Sequence, residues 1–170
     1  YGQAVAGGDC SSWEAACELN LALASAIAGD EIWVAGGTHF PGPAGNLLAT
    51  FQLKDGVALY GGFAGDETAR SQRDWTANPT VLSGDLDRNG LVDAANAYHV
   101  VTGSGVGTSA ILDGFTISGG NAAGDLNMNG GGLYASSGSP TLSNLTFSGN
   151  KAGHYGGAIY LYLSNPRLTQ

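Results

Sequence analysis

The sequence predicts an all-β fold, a right-handed parallel β-helix (solenoid) closed at its beginning by an N-terminal capping α-helix. Three observations lead there. Glycine supplies 29 of the 170 residues without any Gly-X-Y period, about two and a half times ordinary usage, so the excess serves turns and not a collagen helix. One amphipathic pattern near the start is followed only by short apolar runs bounded by glycine, too short and too helix-poor for a doubly wound sheet. Finally, Tyr134, Pro140 and Leu142 recur as Tyr160, Pro166 and Leu168, each 26 residues on. A fixed displacement of that size is one coil of a stacked repeat.

Taken in order, residues 11–28 carry Trp13, Cys17, Leu21 and Ala24 on one face with Leu19, Leu23 and Ile27 beside them, the spacing of an amphipathic helix. Ser11 or Ser12 can cap it, and Gly29 ends it. Glu31 to Ala35 then reads as a strand. Further apolar runs follow at Ala49 to Leu53, Val57 to Tyr60, Thr80 to Ser83, His99 to Thr102 and Ala110 to Ile117. ILDGFTISGGN at 111–121 is partly copied as TLSNLTFSGN at 141–150, so Leu112 and Leu142 stand 30 apart, with the difference taken up by an insert near Asp125 to Met128. Residues 30–170 are therefore coils of one domain spanning 1–170, about 26 residues each near the C-terminus. Equivalent Leu and Ile residues would fill the interior, Asn121 and Asn150 would form a corner ladder, and Gly131, Gly132, Gly156 and Gly157 would allow tight bends.

The texts FSGN at 147–150 and GGAI at 156–159, echoed by FTISGGN and GGGLY, resemble the repeats of chlamydial polymorphic outer-membrane proteins. GDEIWVAGGTHFP, LKDGVALYGGFAGDETARSQRDW and VLSGDLD resemble the amino-terminal part of large secreted bacterial β-helix proteins. The resemblance implies surface display or adhesion, implies that the helix at 11–28 covers strand edges at the amino-terminal end, and brings no shared catalytic set with it. At the other end NPRLTQ stops where the earlier copy continues, so the sequence reads either as a piece of a longer chain or as a filament subunit stacking on itself head to tail.

Six Lys and Arg against 14 Asp and Glu give a net charge of −8, which argues against nucleic acid and anionic lipid as partners. No apolar run reaches membrane-spanning length, so this segment is not expected to insert in a membrane. Charged residues are only 12%, leaving a surface of Ser, Thr, Asn and backbone that suits an extracellular or cell-surface location. Cys10 and Cys17 are read as a disulfide, with a buried free thiol at Cys17 as the alternative.

The sharpest chemical signal is Asp85-Leu86-Asp87-Arg88-Asn89-Gly90-Leu91-Val92-Asp93. Asp85, Asp87, Asn89 and Asp93 occupy positions 1, 3, 5 and 9 of a tight loop with glycine at 6, oxygen donors at a spacing that suits calcium. Position 12 is Asn96 and not the bidentate Glu of an EF-hand, so a solvated Asx turn is the competing reading. Asp125-Leu126-Asn127-Met128-Asn129-Gly130 repeats only the opening, and there the turn is preferred. Tyr134, Tyr155, Tyr160 and Tyr162 form a candidate glycan-binding cluster, although a 26-residue displacement also makes Tyr134 and Tyr160 stack on each other.

No clustered acid–base set is expected. His39, His99 and His154 are scattered and read as surface or turn residues, and Asp66, Glu67, Arg70, Arg73 and Asp74 read as a charged loop bridged by ion pairs. Asn144-Leu145-Thr146 matches a glycosylation acceptor but falls at a strand corner. The expectation is thus a non-enzymatic structural or adhesive β-helix, stalk or filament subunit, with calcium as its one candidate cofactor. The alternative is a carbohydrate-binding or carbohydrate-cleaving β-helix.

Overall fold

A computed structural model describes residues 8–124 and 129–170. It is mostly β, with parallel sheets and one α-helix near the amino terminus. Three sheets run through it. The first is ordered β1 (Glu31–Ala35), β4 (Ala58–Phe63), β7 (Ile111–Asp113), β11 (Thr141–Ser143), β15 (Arg167–Thr169). The second holds β2 (Gly37–His39), β5 (Thr80–Ser83), β8 (Thr116–Ser118) and β12 (Thr146–Ser148). The third holds β3 (Phe51–Gln52), β6 (Val101–Thr102), β10 (Leu133–Ser136) and β14 (Ile159–Tyr162), and a short pair joins β9 (Asn121–Ala122) to β13 (Lys151–Ala152). Each circuit of the chain visits the three sheets in the same order, and every pairing is parallel.

Register turns the repeat into columns. Ile32, Leu59, Leu112, Leu142 and Leu168 align in the first sheet. Phe51, Val101, Leu133 and Ile159 align in the third. Alternate residues along a strand face opposite ways, and these columns build one continuous apolar core. The 26-residue displacement holds for Tyr134 on Tyr160 and Leu142 on Leu168, and the 30-residue one for Leu112 on Leu142. From Leu59 to Leu112 the spacing is 53, because that circuit carries two excursions, at 64–79 and 84–97.

The helix is shorter than its pattern suggests. Expected over 11–28, α1 occupies only Leu19–Ser25, without a side-chain cap from Ser11 or Ser12, and Ala26 is already extended. Cys10 and Cys17 are disulfide-bonded with their Cα atoms 4.9 Å apart. Seven residues of helix would hold them about 10.5 Å apart, so the crosslink requires turns over 11–17, and Ala15 N–H donates to Ser12 Oγ in that turn. What remains helical buries Leu19, Ala22 and Leu23 against β1 and β3. Its carboxyl end is closed by Lys54, whose ammonium donates to the carbonyls of Leu23 (3.1 Å), Ala24 (3.3 Å) and Ala26 (2.6 Å), a cation on orphan carbonyls and on the negative end of the helix dipole.

Two further differences are local. The run expected at Ala110 to Ile117 is split into β7 and β8 by Gly114, whose φ of 83° turns the corner. Asn121 and Asn150 do not stack on one another, since Asn121 pairs with Lys151. Asn150 instead stands where the previous circuit has Gly120, accepting its N–H (3.0 Å) and donating to the Ile117 carbonyl (2.8 Å). The single missing glycine in SGN relative to SGGN shifts the ladder by one residue. The insert expected at Asp125 to Met128 lies outside the described residues.

Outside the first sheet a second, smaller cluster forms from Ala58, Tyr60 and Phe63 with Trp13, Trp33 and Ile111. Trp33 stacks on Phe63 with ring centroids 4.9 Å apart. The 64–79 excursion closes over it. Gly62 is required there, because its φ is +94° and a Cβ would come within 2.6 Å of the Trp75 backbone.

Candidate functional site

The charged excursion is structural. Its five residues do not pair among themselves as expected. Arg70 reaches Glu31, and Arg73 reaches Asp113 at 2.7 Å with both side chains largely buried. Asp113 also accepts from Asn144 Nδ2 at 2.7 Å, so Arg73, Asp113 and Asn144 tie the excursion to β7 and to the corner after β11. Asn144, φ 49°, is that corner. Both arginines lie over the Tyr60 ring, at 4.6 and 4.9 Å. Burial opposes ionisation of Glu67, yet the N–H groups of Ala64, Gly65 and Asp66 that its carboxylate accepts hold its pKa below the ordinary value. Asp74 accepts from Thr76 and Ala77 N–H, and these bonds lower its pKa.

The acidic loop brings its four residues together around Asn89. Asn89 Nδ2 donates to Asp87 Oδ2 (2.9 Å) and Asp93 Oδ2 (3.1 Å), while Asp85 accepts from the N–H groups of Asn89 and Gly90. The Ala95 N–H and the Asn89 amide lower the pKa of Asp93. In this arrangement no group of three or more His, Cys, Asp or Glu among the described residues stands ready to hold a metal. Asn96, read only as a departure from the EF-hand, is buried and anchors the loop. Its Nδ2 donates to the carbonyls of Leu91 and Gly119, and its Oδ1 accepts from Asp93 N–H. Asp125 to Met128 of the second, weaker motif lie outside the described residues.

The tyrosines divide. Tyr134 and Tyr160 are register partners and stack at 5.7 Å; His99 stacks below Tyr134 at 4.9 Å, and Tyr155 continues the pile at 6.4 Å from Tyr160. Ring faces engaged with one another are not available to a sugar ring. Tyr155 and Tyr162 remain exposed. His99 is no loose surface residue, since its Nδ1 lies 2.9 Å from the Gly130 carbonyl. His39, also expected at the surface, is half-buried and hydrogen-bonded to the Ala35 carbonyl.

The open edge is at the other end. Leu142, Leu145, Phe147, Ile159 and Leu168 line an apolar hollow of about 440 Å3. Down the first-sheet column Leu59 and Leu112 are 0% exposed, Leu142 2% and Leu168 63%.

Residues 144–162 match the Chlamydia polymorphic membrane protein (Chlamydia_PMP) repeat. They run from the corner after β11 through β12 and β13 into β14. The chain is thus similar to that surface-protein repeat over this segment. No curated protein and no solved structure matches the chain, and no helix among the described residues is long and apolar enough to cross a membrane.

Proposed function

We propose that the chain is a non-enzymatic segment of an extracellular surface protein, a right-handed parallel β-helix used as a stalk or adhesive scaffold. Strands that recur in register through three parallel sheets support the solenoid, and right-handed crossovers are the rule for parallel connections. The observation that carries the reading is the rise in exposure down the Leu112, Leu142, Leu168 column, at the end where the matched repeat lies. A repeat unit cannot bury its own apolar face and needs a neighbour. We take that neighbour to be another rung of the same kind. A second copy stacked head to tail would present α1 over β1 and β3, an interrupted edge for strand pairing. Glu67, Asp74, Arg70 and Arg73 are committed to structural contacts, which favours scaffold over catalyst.

Antibodies against the chain, applied to intact cells of the source organism and to permeabilised ones, test this. Labelling of intact cells is expected; labelling only after permeabilisation overturns the surface assignment. Calcium belongs to the same proposal as a stabiliser of the 85–93 loop. Asp87 and Asp93 already converge on the Asn89 amide, which a cation would displace as Asn89 turns its oxygen inward. Thermal melting with calcium and with chelator should differ, and an Asp87→Asn variant should abolish the difference; identical melts of the native chain remove calcium from the account.

A further inference from the structure

A cavity of about 540 Å3 opens at the amino-terminal end, lined by Glu18, Asn20, Thr38, His39, Phe40 and Arg88 together with three glycine and proline residues. Its lining includes none of the acidic loop's four oxygen donors and none of the stacked tyrosines, although Arg88 comes from the same loop. Three features set its chemistry.

First, His39 heads a column that continues as Leu82, Ile117 and Phe147. An imidazole therefore stands where later circuits place hydrocarbon. Burial keeps its pKa below the ordinary value, against the opposing effects of the Ala35 carbonyl and Glu18, so at neutral pH the ring is uncharged. Its Nε2, 3.1 Å from the Ala35 carbonyl oxygen, must carry the proton, which leaves Nδ1 as an acceptor.

Second, Arg88 is surrounded in sequence by Asp85, Asp87 and Asp93 yet forms no ion pair with a described residue. Its backbone is in the left-handed region, φ 59°, and its guanidinium lies over the Phe40 ring at 4.5 Å. Non-glycine residues held there are strained and recur at functional positions. Third, the rest of the lining is rich in acceptors: the Glu18 carboxylate, the His39 Nδ1, and the Asn20 oxygen, one of the two Asn20 amide N–H groups donating to the Pro41 carbonyl.

One unneutralised guanidinium beside several acceptors suits a ligand with one anionic group and many hydroxyls. We propose that this cavity binds an acidic sugar, a hexuronate unit whose carboxylate meets Arg88 and whose hydroxyls donate to Glu18, Asn20 and His39. A carboxylate presents two oxygens to the planar fork of an arginine. Glu18 repels the same carboxylate, which fixes the orientation of the ring. The assignment is independent of the scaffold reading and adds a recognition site to it.

The test is calorimetric titration of the whole chain at neutral pH with sodium glucuronate, and with glucose for comparison. Saturable glucuronate binding is expected, weaker or absent for glucose. Arg88→Gly should weaken glucuronate by about tenfold or more while leaving the melting temperature unchanged or raised, because glycine is at ease at this φ. His39→Phe, which removes the Nδ1 acceptor and leaves the guanidinium in place, should also weaken glucuronate binding. The proposal is overturned by a native chain that shows no saturable glucuronate binding, by glucose binding as tightly as glucuronate, or by either variant binding like the native chain.

Discussion

The first and last circuits among the described residues are built from the same kind of parallel strand and differ in what lies against them. At the amino-terminal end a disulfide holds Cys10 to Cys17, α1 lays Leu19, Ala22 and Leu23 on the core, and Lys54 closes the helix. Arg73 then pins the 64–79 excursion across the first sheet. At the carboxyl-terminal end β14 and β15 continue the register without cover, and Leu161, Leu163 and Leu168 are exposed. Column position alone therefore does not decide what a side chain contributes. The same leucine is core or surface according to whether a neighbour lies above it.

Substitutions can break this contrast, and the largest effect belongs to the excursion pinned over the first sheet. Arg73→Met strands Asp113 in a site where both side chains are about a tenth exposed, and loss of one partner of such a pair costs about 3–5 kcal/mol. Urea unfolding should show it, and Asp113→Asn combined with Arg73→Met should cost less than the sum of the two. Within one column, Leu112→Ala should cost about 2–5 kcal/mol, whereas Leu168→Ala should cost less than about 0.5 kcal/mol. Equal losses would refute the open edge. Reduction of the Cys10–Cys17 crosslink opens a short loop and returns its entropy to the unfolded chain, a loss of about 2–3 kcal/mol, and should free the α1 region before the rest, as limited proteolysis with and without reductant can show.

A smaller, pH-dependent effect sharpens the same comparison. Because burial depresses the pKa of His39, the folded chain binds that proton less readily than the unfolded one. Its favourable share of stability is whole above the unfolded value of about 6.5 and is lost as pH falls through the lower folded value. His39→Leu, which extends the Leu82, Ile117 column to its head, should flatten melting temperature against pH as the pH falls below about 6.5.

Much of this was legible in the chain. Glu31–Ala35 and Thr80–Ser83 are strands with the bounds their residues suggest, and the 26-residue displacement is the register of Tyr134 on Tyr160. The helix was overextended because amphipathic spacing across 11–28 does not weigh the crosslink that forbids helix before Leu19. Asn150 misaligned because one deleted glycine changes its neighbour from Asn121 to Gly120. The roles of Arg73 and Arg88 could not be read, since each acts on a residue 40 or more positions away, Asp113 and Phe40. The local signal was only that Arg88 sits among acids without an evident need for them.

Amide hydrogen exchange along the isolated chain tests the central claim most directly, that parallel strands stack in register from the circuit beneath α1 to the exposed strand β15. Protection should be highest in β4 and β7, remain high in β1 beneath α1, and fall through β11 to near none in β15. Protection in β15 equal to that in β7, or exchange beginning at β1, would contradict it.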